Sequence, residues 1–345
     1  MEDEWRRLEG QAEATLFQSW DWCDCWLSHY GHGGQPLILK VVSEDKTLAI
    51  APLLRQRSWF GLPLRRVTFI GTGPSDYGGL LALGPDDAGS PAVAAALADV
   101  KFDLVDLHQL PESPASRLGE ALKDRFNVLV LPQEPTLAVE LPIDLDAYLS
   151  TLSKKFRTNT VYADRRLRRD FKFEQKTYKE ADELFAGMDI FFRLHQQRWL
   201  AKRLPGLFVG GRNRRFHQAL AGRLAFGDRL VLSVAFLDGE PAAAFYGFKF
   251  GKSYSYYLGG FDPKLAKYSA STVLIFNLIK DALAEQAKDF DFLRGQETYK
   301  LRWGAGEKPL FRLLVFPSTP RGRLAAGLAV RQNQIVQRAR AGLHK

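Results

Sequence analysis

The sequence predicts an α/β (α+β) protein of two domains, in which mixed, mostly antiparallel sheets are flanked by helices. Three observations support this prediction. The chain has 345 residues, which exceeds the usual size of one domain. Strand-like and helix-like segments alternate over the first 140 residues, and the second half contains three strand-like runs joined by tight turns.

In the first half, short apolar runs alternate with helical patterns. An aromatic helix that Ser19 would cap is predicted at residues 16–30, and a Gly-rich loop at 71–79 follows the first strands. Strands are predicted at residues 36–42, 48–55, 64–70, 80–83 and 102–107, and further helices at 86–100 and 114–124. The pattern breaks between Pro135 and Pro142. We therefore predict domains at 1–140 and 141–320, followed by a basic tail at 321–345.

The second half has the clearest secondary-structure pattern. Helices are predicted from residue 145 or 153 to 171 and from 180 to 200. Strands at 229–237, 242–250 and 253–258, joined by Asp-Gly and Gly-Lys turns, predict an antiparallel meander. A helix at 271–287, a strand at 289–294, a short helix at 299–303 and a final strand at 311–316 follow. A long helix therefore begins where the meander ends.

Composition excludes several classes of protein. Hydrophobic residues make up 46% and charged residues 25%, which is typical of globular domains. No run approaches the roughly 18 apolar residues of a membrane span, and the acidic start lacks the apolar region of a signal peptide, so a cytoplasmic location is expected. No cluster of His or Cys accompanies Cys23 and Cys25, so we expect neither a disulfide nor a metal site.

The positive charge is concentrated in two segments. The net charge is +9 and the pI is about 9.4. Between residues 151 and 170, seven Lys and Arg residues accompany two Asp, and the tail has six Lys and Arg without an acidic residue. Anionic partners are therefore favoured, namely CoA phosphates, acidic lipid surfaces or RNA.

The start of the long helix is a candidate anion site. A helix N-terminus carries unpaired backbone N–H groups and a partial positive charge. The residues before and at this start are small, hydroxylic or basic, so we predict that they contact a cofactor phosphate: Lys267, Tyr268, Ser269, Ala270, Ser271 and Thr272. The alternative is an ordinary helix start that Ser269 or Ser271 caps. Neither glycine pattern of a nucleotide-binding loop is present.

A family resemblance extends over nearly the whole chain. Residues 291–303, Asp-Phe-Leu-Arg-Gly-Gln-Glu-Thr-Tyr-Lys-Leu-Arg-Trp, resemble the C-terminal signature of GNAT-like acetyltransferases of the BioF2-like and CelD-like kind. Four further segments match the same family in order: residues 19–22, 75–77, 153–159 and 195–199. Such acetyltransferases are associated with bacterial cellulose and exopolysaccharide biosynthesis. The plan is also similar to the FemABX peptidyltransferases, which have two GNAT-like domains.

The resemblance implies two GNAT-like domains, of which only the second holds acyl-CoA. An acyl group, most simply acetyl, would pass directly from CoA to an amine of a small molecule, a saccharide or a polysaccharide precursor. Backbone N–H groups at Tyr257, Leu258 and Gly259 would stabilise the oxyanion, and the helix start would hold the pyrophosphate. The family commonly has Pro-Gly where this chain has Ala270 and Ser271.

The resemblance also implies roles for individual side chains. Tyr299 would protonate the thiolate leaving group, and Glu297, His195 or Asp76 would take the proton of the amine. Asp76, Tyr77, Arg198 and Trp199 would bind the acceptor, and Lys300 would assist at the cofactor. The alternatives are structural: a helix cap and ion pair for Glu297 and Lys300, and packing beside Trp199 for His195.

Two other functions stay open at this point. The basic helix at 152–170 and the FemABX similarity suggest an aminoacyl-tRNA-dependent transferase. Alternatively, the chain is a non-catalytic scaffold of a polysaccharide synthase, whose basic tail contacts an anionic membrane. Apolar residues are interspersed with the arginines of that tail, namely Leu324, Leu328, Ile335 and Val336.

Overall fold

The computed structural model describes residues 1–84 and 89–343, the last five of them as backbone only. The predicted tail residues Arg340 and Lys345 therefore have no described side chains. The chain divides into two compact units. The first consists of Met1–Glu134 together with the segment from Pro309 onward, and the second of Pro135–Lys308.

The first unit contains a mixed sheet flanked by helices. Its strands are β1 (Gly34–Ser43), β2 (Lys46–Gln56), β3 (Arg66–Phe69), β4 (Leu81–Ala82), β5 (Leu104–Pro111), β6 (Asn127–Pro132) and β14 (Leu310–Phe316). Their order is β1-β2-β3-β5-β14-β6, and β4 pairs with β2. The β3–β5 pair is parallel, and the other neighbours are antiparallel.

Helices of the first unit bury the apolar faces of this sheet. They are α1 (Glu2–Glu9), α2 (Trp20–Tyr30), α3 (Gly89–Ala98), α4 (Glu112–Leu122) and α11 (Pro320–Leu343). The predicted cap of α2 is confirmed, because Ser19 Oγ accepts a hydrogen bond from the backbone N–H of Trp22 at 3.2 Å. The apolar residues of α3 and α4 pack on those of β2, β5 and β14 in one core cluster, where each buried large side chain contributes about 1.5–3 kcal/mol.

The second unit contains the other mixed sheet. Its strands are β7 (Thr136–Glu140), β8 (Phe173–Thr177), β9 (Leu230–Leu237), β10 (Glu240–Phe250), β11 (Ser253–Phe261), β12 (Asp289–Arg294) and β13 (Gly306–Lys308). The order is β13-β7-β12-β11-β10-β9-β8, and the β11–β12 pair is parallel. The predicted antiparallel meander is β9-β10-β11.

Helices lie between these strands in the chain and cover the sheet. They are α5 (Leu145–Thr151), α6 (Lys154–Asp170), α7 (Ala181–Ala201), α8 (Gly211–Phe226), α9 (Ala270–Ala284) and α10 (Thr298–Leu301), with a short 3-10 helix at Pro263–Tyr268. Helix α9 is apolar on most sides and is largely buried in the main core cluster. The predicted fold class, two mixed sheets flanked by helices, is confirmed.

The structure differs from the expectations at several places, and α1, α8, β6, β7, β8 and β13 were not predicted. The final strand β14 was expected in the second domain but pairs with β5 and β6 of the first sheet. The domain boundary was expected between residues 140 and 141, whereas the second compact unit begins at Pro135 and includes β7, which pairs with β12 and β13. Both features depend on pairing between distant segments, which local patterns do not reveal.

Several sequence expectations concern membranes, metals and thiols. Within residues 1–84 and 89–343, no helix has the length and apolar character needed to cross a membrane. In that same part of the chain, no three His, Cys, Asp or Glu side chains are grouped so that they could hold a metal ion. Cys23 and Cys25 are both buried, and burial raises the pKa of the Cys23 thiol.

Candidate active site

Two parallel strands separate to form an opening in the second sheet. Strands β11 and β12 pair at three positions, from Ser253 opposite Asp289 to Ser255 opposite Asp291. Beyond these positions β11 continues along β10 as far as Phe261, whereas β12 follows β7. The two strands therefore separate beyond the Ser255–Asp291 position and leave an opening between them.

A β-bulge lies where β11 borders this opening. The register of β10 and β11 shifts at Tyr257, so this residue has no partner position on β10. Its ring packs 5.6 Å from the ring of His217. Tyr256 lies on the other face, where its ring stacks on Phe245 at a centroid distance of 4.6 Å. The bulge thus directs two adjacent tyrosines to opposite faces of the sheet.

Gly259 and Gly260 allow two groups to approach β11 closely. A Cβ on Gly259 would overlap the hydroxyl oxygen of Tyr256, and a Cβ on Gly260 would overlap the backbone nitrogen of His195 in α7. Helix α7 therefore packs directly on the strand. It carries Arg198 to the same place, where Nη1 donates a hydrogen bond to the carbonyl oxygen of Gly259 at 3.2 Å.

Replacing Gly260 by alanine is expected to destabilise the protein. The added methyl group would meet backbone atoms of α7, which cannot rotate away, so the helix must shift. We expect a loss of about 2–3 kcal/mol, measured by urea unfolding. Gly222→Ala is the matched control, since a Cβ there meets no atom within 4 Å and alanine favours the helix. Equal stability of the two variants would contradict the close approach of α7.

The short helix α10 brings Tyr299 beside Tyr256. Burial raises the pKa of Tyr299 well above its usual value, and Tyr256 and Glu297 raise it further. Burial also raises the pKa of Tyr256, although Arg198 acts in the opposite direction. Both hydroxyl groups therefore stay protonated at neutral pH, so Tyr299 can donate a proton but is not a base.

Lys300 forms hydrogen bonds with the backbone at the C-terminal end of β12. Its side chain is buried, and Nζ donates to the carbonyl oxygens of Leu293, Arg294 and Gly295 at 3.4, 2.8 and 3.2 Å. The same Nζ lies 2.9 Å from Oε2 of Glu297, whose side chain is 43% exposed. These contacts use the donors of the ammonium group. Lys300 is thus engaged within the protein instead of being available to a cofactor phosphate, and Glu297 is its ion-pair partner.

His195 is a neutral, buried histidine. The indole N–H of Trp199 donates to its Nε2 at 2.9 Å, so the ring proton lies on Nδ1, which has no partner among the described residues. Burial lowers the pKa of His195 to about 4, and Arg198 lowers it further. The acceptor nitrogen of His195 is occupied and its basicity is low. These two properties favour the packing alternative, in which His195 orients the indole ring of Trp199.

The buried histidines make stability depend on pH. Burial lowers the pKa of His217 to about 3 and that of His195 to about 4, from 6.5. The unfolded chain therefore binds more protons below pH 6.5, so stability is complete above that pH and falls as the pH drops toward 4. We expect a loss of about 2 kcal/mol per histidine between pH 7.5 and 5.

Urea unfolding at pH 7.5, 6 and 5 tests this expectation. His217→Gln removes one buried histidine whose pKa is lowered, so the stability of this variant should fall less steeply with acid than that of the wild type, by about 1.4 kcal/mol per pH unit. The comparison is His32→Gln at an exposed loop position, which should leave the slope unchanged. Identical slopes for wild type and His217→Gln would contradict the buried neutral state.

The start of α9 lacks a side-chain cap. Ser269 adopts a left-handed conformation, with φ 61° and ψ 30°, and occupies the N-cap position without a side-chain hydrogen bond. Its carbonyl oxygen accepts from Thr272 and Val273 at 3.0 and 3.1 Å. The backbone N–H groups of Ala270 and Ser271 have no acceptor in the described part of the chain. The capping alternative therefore fails for Ser269, and donors for an anion are left over.

Cationic groups surround this helix start. Lys267 Nζ lies 4.9 Å from the centre of the Tyr268 ring, and the guanidinium of Arg166 on α6 lies 5.4 Å from it. The Tyr268 ring is itself fixed by an edge contact with Phe171 at 4.7 Å. The basic helix α6 thus contributes at least one of its cations to the surroundings of the α9 N-terminus.

The remaining predicted residues belong to the first unit. Asp76 and Tyr77 are both 7% exposed, and the Tyr77 carbonyl oxygen accepts from Gln18 Nε2 at 3.2 Å.

Within the second unit, the structure brings together Arg198, Glu297 and Tyr299 with the strand residue Gly259. Sequence reasoning missed Tyr256, although strand alternation puts it on the opposite face from Tyr257, toward the helix α9 core.

A family model matches most of this unit. Residues 154–301 match a model described as an acetyltransferase (GNAT) domain. The matched segment includes the separating strands, the start of α9 and Tyr299. This match supports the assignment of the chain as a transferase. A comparison with curated proteins found no match.

Solved structures show the same fold along nearly the whole chain. FemX is similar with a TM-score of 0.66 at 10% identity, over 92% of this chain and 96% of FemX. A conserved protein of unknown function from Bacteroides thetaiotaomicron has a TM-score of 0.60 at 13% identity, over 92% and 98%. L-PGS from Bacillus licheniformis has a TM-score of 0.56 at 13% identity, over 96% of both chains. The fold is therefore GNAT-like.

Proposed function

We propose that the protein is an acyl-CoA-dependent N-acyltransferase whose second unit carries the cosubstrate site. The observation that carries the proposal is the combination of separating parallel strands with an uncapped helix start directly after the meander. An acyl-CoA would supply an activated thioester. The opening between β11 and β12 fits the extended pantetheine arm, and the N–H groups of Ala270 and Ser271 fit the pyrophosphate.

The chemical roles follow from the side chains around the opening. The amine nitrogen attacks the thioester carbonyl carbon, the C–S bond breaks, and the thiolate takes the proton of Tyr299. Backbone N–H groups at the bulge, from Tyr257 to Gly259, are proposed to stabilise the oxyanion. The amine loses its proton to Glu297, which is the most exposed carboxylate beside Tyr299. Arg198 and Trp199 are proposed to orient the acceptor.

Our proposals for the acceptor amine and for the narrower family rest on the sequence motifs alone. The resemblance to BioF2-like and CelD-like acetyltransferases favours an amine on a saccharide or polysaccharide precursor, with acetyl as the simplest acyl group. Asp76 and Tyr77 stay proposed acceptor-binding residues in the first unit. A panel of amino sugars, amino acids and polyamines, assayed by release of the CoA thiol, identifies the preferred class.

Binding of CoA esters is the direct test. We expect acetyl-CoA or a longer acyl-CoA to raise the melting temperature, and Ser271→Glu to weaken binding by tenfold or more, roughly 1.4 kcal/mol. A carboxylate in the first turn repels the pyrophosphate but favours the helix dipole, so the variant should remain folded. Ser271→Gln is the uncharged control and should bind normally. No shift with any CoA ester would count against the proposal.

An aminoacyl-tRNA-dependent transferase is the second candidate. The overall likeness to FemX and the exposed cations of α6 favour it, since most of the Lys and Arg side chains on that helix face solvent. RNA contacts made through phosphates alone weaken steeply with salt. Binding of a charged tRNA that persists at about 0.2 M salt, together with no response to CoA esters, would favour this function over the first.

A further inference from the structure

One long segment of the second unit contains no acidic residue. Between Asp189 and Asp228 there is neither Asp nor Glu, whereas eight residues are basic. They are Arg193, Arg198, Lys202, Arg203, Arg212, Arg214, Arg215 and Arg223. The segment comprises the second half of α7, all of α8 and the connection between them, which we name the α7–α8 loop (residues 202–210). The segment is therefore strongly basic, although some of its side chains have partners within the protein, such as Arg214 and Arg198.

The same place exposes aliphatic side chains. Leu200, at the end of α7, is 59% exposed, and Leu207 and Val209 in the α7–α8 loop are 41% and 66% exposed. Scattered exposed apolar residues are common on protein surfaces. Three within ten residues, surrounded by cations, form an amphipathic surface instead.

The α7–α8 loop holds these residues outward in a defined conformation. Phe208, between Leu207 and Val209, is only 6% exposed and packs 4.8 Å from the His195 ring. Two hydrogen bonds support the loop, from Gln196 Nε2 to the Pro205 carbonyl at 2.8 Å and from Asn213 Nδ2 to the Leu207 carbonyl at 2.7 Å. Because Phe208 is anchored inward, its two neighbours in sequence project into solvent.

Two cations beside the exposed aliphatic residues lack an acidic partner in the part of the chain that the structure describes. Arg214 pairs with Asp189 at 2.9 Å, at the edge of the segment. Arg203 and Arg212, at the two ends of the α7–α8 loop, have no acidic partner among the residues that the structure describes. Charge complementarity therefore favours an anionic partner at the loop itself.

We propose that the α7–α8 loop docks the protein on an anionic lipid surface. Leu200, Leu207 and Val209 would enter the interface between headgroups and acyl chains, and the flanking cations would contact lipid phosphates. RNA fits the surface less well, because aliphatic side chains do not stack on bases and gain nothing from a phosphate backbone. The proposal is independent of the acyl-transfer chemistry and concerns a different surface from the basic tail.

Vesicle co-sedimentation of the full-length protein tests the proposal. We expect binding to vesicles of phosphatidylglycerol and phosphatidylcholine, and little binding to phosphatidylcholine alone. Arg203→Gln with Arg212→Gln should weaken binding about 20-fold or more, at roughly fivefold per cation. Leu207→Ser with Val209→Ser should weaken it by about tenfold or more while leaving the net charge unchanged.

Matched controls separate the loop from other surfaces. Ile143→Ser removes an aliphatic residue that is 91% exposed outside the segment, and Lys46→Gln removes an exposed cation at the start of β2. Both should bind vesicles like the wild type. Arg323→Gln with Arg331→Gln tests the tail. Unchanged binding in both loop variants, loss of binding only in the tail variant, or no vesicle binding at all would overturn the proposal.

An RNA partner would give a different pattern. A labelled single-stranded RNA would then bind, the two arginine substitutions would weaken it, and the two serine substitutions would not. That pattern without vesicle binding would also overturn the proposal. Thermal unfolding of each variant, compared with the wild type, shows whether a loss of binding comes from loss of structure.

Discussion

Replacing Tyr299 by phenylalanine is expected to reduce kcat about 100-fold or more while leaving the affinity for acyl-CoA nearly unchanged. In the proposed mechanism this hydroxyl group protonates the thiolate, and burial with Tyr256 and Glu297 nearby keeps its pKa well above the usual value. Phenylalanine keeps the ring and its edge contact with Phe292 at 6.3 Å. The change therefore removes a proton and little packing.

The measurement is steady-state release of CoA thiol with the best acceptor amine, alongside calorimetric binding of the CoA ester. A fall in kcat with unchanged binding indicates an interaction made only in the transition state. Tyr178→Phe is the matched control, because Tyr178 is a buried tyrosine of the same unit whose ring packs on Gly187 of α7. If Tyr299→Phe turns over at the wild-type rate, Tyr299 has no part in proton transfer.

Replacing Asp106 by asparagine is expected to cost about 3–5 kcal/mol of stability. This carboxylate is completely buried in the first sheet. Arg312 donates to it from Nε and Nη2 at 2.7 and 2.8 Å, Arg66 Nε lies 2.9 Å away, and His108 Nε2 lies 3.1 Å away. Burial raises the pKa of Asp106, but His108, Arg66 and Arg312 outweigh it and hold the pKa well below its usual range.

The expected loss of stability is large because the arginines that pair with Asp106 remain buried in the variant. Without the charge of Asp106, two guanidinium groups remain buried with no counter-ion, and Arg312 also anchors α11 through the Ala329 carbonyl and Gln332. Asp103→Asn is the matched control. Asp103 is equally buried, but its partner Arg65 is 42% exposed and can return to water, so about 1 kcal/mol is expected.

Thermal unfolding followed by circular dichroism distinguishes the two variants. We expect the melting temperature of Asp106→Asn to fall by roughly 10 °C and that of Asp103→Asn by only a few degrees. Similar melting temperatures would mean that the buried cluster contributes no more than an exposed ion pair. The first sheet would then be held together chiefly by apolar packing.

Much of the candidate site was predictable because it depends on local sequence. Strand β12 was predicted with its observed bounds, and helix α9 was predicted to follow the meander, since apolar periodicity and turn residues are local signals. The family resemblance of residues 291–303 is what singled out Tyr299 and Glu297, whose roles stay proposals. For Lys300 and His195 the sequence left a functional and a structural alternative open, and only the contacts of the folded chain favour the ion pair and the packing beside Trp199.

By itself, the sequence determined the meander with the helix and strand that follow it, the excess of positive charge and the family resemblance, whereas helix α8 and strands β6, β7 and β8 were not predicted. The tertiary structure decided that β14 joins the first sheet, that β11 and β12 separate after three paired positions, and that Tyr256 lies beside Tyr299. The physical reason is that helix periodicity and turn chemistry act within a few residues. Strand pairing and burial instead join distant segments, as Arg312 and Asp106 illustrate with a separation of 206 residues.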